Sequence, residues 1–220
     1  MELKSIKKEI PEELYKILEK EVENLRPAQE KSIKKGLLNG KNLLVCTPTA
    51  SGKTLIAELA MLKSIIENKG KAIYIVPLKA LASEKHRDFK KKYGKIAKIA
   101  LSIGDIDSSD QFLAEYDLII ATSEKFDSLI RHHAPWLTGI ATIVVDEIHL
   151  LNDPERGPTL EILLTILKKL LKNVQIIGLS ATIGNAEELA EWLQADLVAD
   201  EWRPVKLHKG VYLDGKIEFY

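Results

Sequence analysis

Asn42-Leu43-Leu44-Val45-Cys46-Thr47-Pro48-Thr49-Ala50-Ser51-Gly52-Lys53-Thr54 is the stretch on which the reading of the fold turns. It starts as a short apolar run, of strand length. From about Lys53 to Glu67 an amphipathic segment follows and predicts a helix. Strand, loop and helix, with Gly-Lys-Thr at the helix start, are what a phosphate-binding loop requires. Backbone N–H groups and a helix N-terminus face an anion, with a lysine and a hydroxyl beside them. Pro48, Thr49, Ala50, Ser51, Gly52, Lys53 and Thr54 are therefore expected to cradle a nucleoside triphosphate. Gly52 lets the backbone come close, Lys53 reaches the β- and γ-phosphates, and Thr54 offers its hydroxyl to Mg²⁺. Thr47 stands where the simple loop pattern has its first glycine, which removes some freedom for positive φ at that point.

Further apolar runs lie at 72–76, 97–101, 117–121, 140–145, 174–179 and 196–199, with amphipathic stretches between most of them. Several are β-branched and nearly continuous, as buried parallel strands are. The alternation predicts an α/β fold: three layers, α/β/α, around a mostly parallel sheet. Ligands then gather at the carboxyl ends of the strands. Asp146 and Glu147 end one such run. Asp146 is assigned to the metal and Glu147 to the base that activates water. His149 has no metal-ligand spacing around it, and reads either as a link to the next layer or as a core histidine. Ser180-Ala181-Thr182 ends another run, with two hydroxyls that could reach Asp146 or His149.

The 220 residues hold 32 basic and 32 acidic side chains and 45% hydrophobic residues. That excludes a disordered chain, and it means a nucleic-acid partner would need a local basic surface. No apolar run reaches the roughly 18 residues of a membrane span, and the N-terminus has no signal-peptide apolar region. The expectation is a protein of the cell interior, with no membrane partner. The single cysteine, Cys46, is expected to be buried and inert. A helix is predicted from Glu12 to Val22 with Pro11 in its first turn, and another from Pro27 to Leu38, ended by Asn39-Gly40.

In order along the chain, Arg26-Pro27-Ala28-Gln29, Thr49 to Thr54, Pro77 to Ala82, Ser102-Ile103-Gly104-Asp105, Ala121 to Lys125, Asp146 to His149 and Ser180 to Thr182 resemble the motifs of the first RecA-like domain of superfamily 2 helicases. Within that superfamily the chain is most similar to the superkiller-type branch and its archaeal DNA-repair helicases of the Hjm type. Thr47 to Thr54, Asp153 to Glu161 and Trp202-Arg203-Pro204-Val205 carry that second resemblance. It implies a RecA-like P-loop fold and ATP with Mg²⁺ as cofactors. It implies 3′ to 5′ translocation on single-stranded and forked DNA in an archaeal cell, with RNA as the alternative substrate. It also implies Gln29 as the adenine reader, although Gln29 could equally cap its own helix.

By the same resemblance, residues 1–25 are a helical leader, 26–200 the motor domain, and 201–220 the start of a link to a second RecA-like domain that completes the ATP site. Such a fragment is expected to hydrolyse ATP poorly by itself. Lys79, Thr122, Ser123, Lys125 and Arg156 are the candidate nucleic-acid contacts, and His149, Ser180 and Thr182 the coupling residues. The basic run from Lys85 to Lys98 reads as a solvated helix face in preference to a groove wall. A non-helicase phosphate-loop enzyme and a nucleotide-binding module without catalysis are the competing classes.

Overall fold

The protein, described here from a computed structural model, is defined for residues 1–104, 110–171, 173–206 and 208–219. Each apolar run forms a strand: β1 (Leu43–Cys46), β2 (Lys71–Val76), β3 (Ile99–Ser102), β4 (Leu118–Thr122), β5 (Ile140–Val145), β6 (Gln175–Ser180) and β7 (Asp196–Ala199). All pair in parallel, in the order β3-β4-β2-β5-β6-β1-β7. Alternate residues serve opposite faces. Tyr74 and Val76 enter one core cluster while Ile73 and Ile75 enter the other, and Val144 parts from Ile143 and Val145 in the same way. A strand with both faces buried leaves no polar alternation, which is why these runs read as continuously apolar.

One face is covered by α1 (Glu12–Leu18), α2 (Pro27–Lys34), α3 (Lys53–Ile66) and α4 (Lys79–Tyr93), the other by α5 (Ser123–Arg131), α6 (Gly157–Leu170) and α7 (Ala186–Leu193). Leu3, Ile6, Leu14 and Leu18 join the first core. Their segment also reaches α3, where Lys63 Nζ donates to Glu9 O at 2.8 Å. That cover explains why α3, expected to be amphipathic, buries ten of its 14 residues.

Two helix ends differ from expectation. The first helix stops at Leu18, with Pro11 just ahead of its first turn. The second stops at Lys34, because Gly36 adopts φ 95° and starts a single 3-10 turn, Leu37–Asn39, closed by Gly40 at φ 80°. A hairpin not anticipated from the sequence, β8 (Gly210–Leu213) and β9 (Lys216–Phe219), pairs antiparallel. Its signal was Asp214-Gly215, which take φ 47° and 81°, the Asp-Gly signature of a tight hairpin turn. No helix among the described residues is long and apolar enough to cross a membrane.

Candidate nucleotide and nucleic-acid site

Because the sheet is parallel, the carboxyl ends of β1, β5 and β6 share one edge, with β6 between the other two. That edge collects Thr47 to Thr54, Asp146 to His149 and Ser180 to Thr182.

The phosphate loop is tied down by its surroundings. Thr47 is buried, its Oγ1 lies 2.7 Å from Ser51 Oγ, and its N–H donates to Ser180 O at 3.2 Å. Positive φ falls at Ala50 (64°) and Gly52 (92°), not at Thr47. The threonine in place of a glycine therefore forfeits no needed conformation and adds a brace. Thr47→Val should leave Ser51 Oγ, on a residue 2% exposed, without that partner. The expected cost is about 1–3 kcal/mol, or about 2–4 °C of melting temperature per kcal/mol; an unchanged thermal melt would remove the brace.

Gln29 does two things at once. Its Oε1 accepts from the Arg26 N–H at 2.8 Å, capping α2, and its Nε2 donates to Gly52 O at 2.9 Å. Arg26 Nη1 donates to Ala50 O at 2.5 Å. A Cβ at Gly52 would stand 2.5 Å from Gln29 Nε2 and displace that amide, and the backbone there, at φ 92°, favours glycine. Asn24, Arg26, Gln29, Gly52, Leu55 and Glu58 line an open cleft of about 350 Å³ beside the loop. Burial pushes the Glu58 carboxyl up from its ordinary range, opposed by Lys92 and the Tyr93 hydroxyl.

Lys53 opens α3 with its Nζ donating to Thr47 O at 2.8 Å and to Pro48 O at 3.4 Å. Burial draws its pKa down, and the carboxylates of Glu147 and Asp146 pull the other way. Thr54 Oγ1 lies 3.4 Å from Lys85 Nζ, a cation brought by α4. Asp146 Oδ2 accepts from Tyr74 OH at 2.6 Å and Oδ1 from the Glu147 N–H at 3.1 Å. Thr54 and Asp146 offer hard oxygens, and no cluster of three or more Asp, Glu, His or Cys forms a metal cage among the described residues. Such a donor set suits Mg²⁺, which keeps its waters and takes phosphate oxygens.

Glu147 sits at φ 52°, a left-handed conformation costing a non-glycine residue about 1–2 kcal/mol. Strain of this kind collects at functional sites. Its Oε2 is 3.3 Å from His149 Nδ1, and the same nitrogen lies 3.5 Å from the Ala181 N–H. One atom faces both neighbours, the Glu147 carboxylate and the Ala181 N–H. His149 is thus half-exposed and linking, not a core residue. Ser180 is buried and Thr182 exposed. Among the described residues neither hydroxyl bonds Asp146 or His149; the backbone of Ala181 makes that contact.

The candidate nucleic-acid residues separate. Lys79 is exposed at the start of α4. Thr122 is buried and caps α5, its Oγ1 accepting from the Lys125 N–H. Ser123 is buried too, in the first turn of α5. Lys125 requires a correction: it is 2% exposed and its Nζ lies 3.0 Å from Asp110 Oδ2, so its charge is spent inside the protein. Arg156, expected to reach outward, is half-buried ahead of α6 and shares a crevice with Pro77, Ser123, Asp146 and Glu147. Asp105, in the fourth motif, lies outside the described residues. Within the basic run, Lys92 pairs with Glu58 and Glu21 at 3.2 and 3.0 Å, while Arg87, Lys90, Lys91, Lys95 and Lys98 are exposed. Trp202 lies over Arg26, 5.5 Å from guanidinium to ring centroid. Tyr74 was not singled out from the sequence, where the phenol in the apolar run Ala72 to Val76 was the available sign; Arg26 and Lys85 were read there only as members of the first motif and of the basic run.

A phosphate loop and an Asp-Glu pair on one edge of a parallel sheet define a phosphate-loop nucleotide-binding fold, and the sequence pattern of the DEAD/DEAH box helicases matches residues 26–189: the chain belongs to that family. It is 54% identical over 207 residues to the ATP-dependent DNA helicase Hel308 of Pyrococcus abyssi, covering 94% of this chain and 28% of that protein. It is 58% identical over 202 residues to the Hel308 of Methanocaldococcus jannaschii, covering 89% of this chain and 17% of that one. In three dimensions it resembles the DUF1998 helicase MrfA in its DNA-bound crystal structure, with a TM-score of 0.73 and 26% identity over 88% of this chain and 30% of the other. The chain spans less than a third of the length of these relatives.

Proposed function

We propose that this chain is the ATP-binding motor domain of an ATP-dependent DNA helicase that moves 3′ to 5′ on single-stranded and forked DNA, of the kind met at stalled forks. The observation that carries the reading is the convergence of Lys53, Asp146 and Glu147 at a single sheet edge, where the two carboxylates oppose the effect of burial on the lysine. ATP is the nucleotide, with Thr54 and Asp146 as the residues for Mg²⁺. When bound, the cation neutralises charge developing on the phosphates. Lys53 exchanges the loop carbonyls for phosphate oxygens, and Glu147 orients water and takes its proton. His149, two residues beyond, carries the state of Glu147 to Ala181 and so to Ser180 and Thr182.

Lys79 and the amides opening α5 near Thr122 and Ser123 hold the strand backbone, since such contacts position without reading sequence. Arg156 joins the nucleotide edge to that surface. Residues 1–25 belong with the motor domain, and the segment from 201 leads to a second RecA-like domain supplying arginines worth about 10³–10⁵ in rate. The isolated chain should therefore bind ATP and turn it over poorly. Strand unwinding by the 220 residues alone would contradict this.

The test is the ATPase rate of a chain extended through the second domain, with single-stranded DNA, with RNA and with neither. Stimulation by DNA above RNA supports the reading. Equal or greater stimulation by RNA makes it an RNA motor, and no stimulation removes the motor class.

A further inference from the structure

After its opening Lys71, β2 is an apolar strand with one polar exception. Lys71-Ala72-Ile73-Tyr74-Ile75-Val76 carries a phenol at its middle, on a residue 0% exposed. A buried hydroxyl without a partner is costly, so its partner shows what the tyrosine does there. The partner is Asp146 Oδ2, at 2.6 Å, the length of a hydroxyl bonded to an ionised carboxylate.

The placement follows from register. Tyr74 pairs across the ladder with Val144, two residues before Asp146, so both side chains stand on the same face. The ring is held edge-on by Phe89 of α4, with centroids 5.3 Å apart and planes at 83°. The other carboxylate oxygen accepts from the Glu147 N–H at 3.1 Å. One donor on each oxygen fixes the plane of the carboxylate and leaves each a lone pair.

We infer that Tyr74 is a positioning residue, which through its hydroxyl sets the rotamer of Asp146 for a divalent cation bound with the nucleotide. This rests on the reading of Asp146 as the metal-side carboxylate. Groups that orient a ligating carboxylate typically affect metal affinity by about 10–100-fold. Phenylalanine keeps the ring and its packing on Phe89, so Tyr74→Phe isolates the hydroxyl.

The experiment uses the 220-residue chain and a fluorescent ATP analogue, titrated with Mg²⁺. In Tyr74→Phe the Mg²⁺ midpoint should rise about 10–100-fold, while nucleotide affinity in EDTA and the far-ultraviolet circular dichroism stay as in the parent. Phe89→Leu keeps the hydroxyl and loosens its ring, and should raise the midpoint by less. Asp146→Asn separates the two levels of the argument. If Asp146→Asn shifts the midpoint and Tyr74→Phe does not, Tyr74 has no positioning role. If Asp146→Asn has no effect either, or the parent chain shows no Mg²⁺-dependent binding, the metal reading of Asp146 fails and the role of Tyr74 falls with it.

Discussion

Glu147→Gln is expected to lower ATP turnover by about 10²–10⁴-fold, the contribution of a positioned general base, while leaving ATP binding intact. The amide is nearly isosteric, so the left-handed backbone at φ 52° and the contact with His149 Nδ1 have no steric reason to change. What disappears is the ability to take a proton from water. In the proposed reading, binding depends on other groups: the loop amides, Lys53 and the carboxylate of Asp146. The measurement is steady-state turnover on the chain extended through a second domain, paired with an ATP affinity on the same sample. Equal turnover in the variant would take Glu147 out of the base role. Lost binding would place it instead among the groups that hold nucleotide.

The other large effect is on stability. Lys125→Met is expected to cost about 3–5 kcal/mol, as removal of one member of a buried ion pair does. The Lys125 side chain is 2% exposed, against 15% for Asp110. Asp110 also accepts from Ser102 Oγ at 3.1 Å, which ties the end of β3 to the start of α5. Methionine fills similar volume but removes the lysine charge 3.0 Å from that carboxylate. Denaturant unfolding of the isolated chain reads the loss. The salt dependence of DNA binding gives the contrast: a cation on the strand path would lower its slope by about one when removed, and a buried one would not. A stable variant with a lowered slope would return Lys125 to the nucleic-acid surface.

The seven strands were legible because the signal for them is local. A strand sandwiched between helix layers must be apolar on both faces, and Ile143-Val144-Val145 or Ala72 to Val76 state that within a few residues. The phosphate loop and Asp146-Glu147 were legible for a similar reason, since each follows directly from a strand end. Ends of helices were less so. Residues 27–38 carry helical periodicity throughout, yet Gly36 turns left-handed and stops α2 at Lys34. The hairpin at 210–219 was missed although Asp214-Gly215 announced it.

What the sequence determined by itself, then, is the layer architecture and which polar residues stand at each strand end, because both are written in contiguous residues. Tertiary structure decided which of those residues act together. Only the ladder order puts β6 between β1 and β5, so that Ser180 O takes the Thr47 N–H and the Ala181 amide meets His149. Only packing gives Lys125 to Asp110 and Tyr74 to Asp146, pairs separated by 15 and 72 residues. A lysine in an amphipathic segment and a tyrosine in a strand look alike wherever they occur. Their roles depend on burial and on a partner from another element, and no periodicity within either segment encodes those.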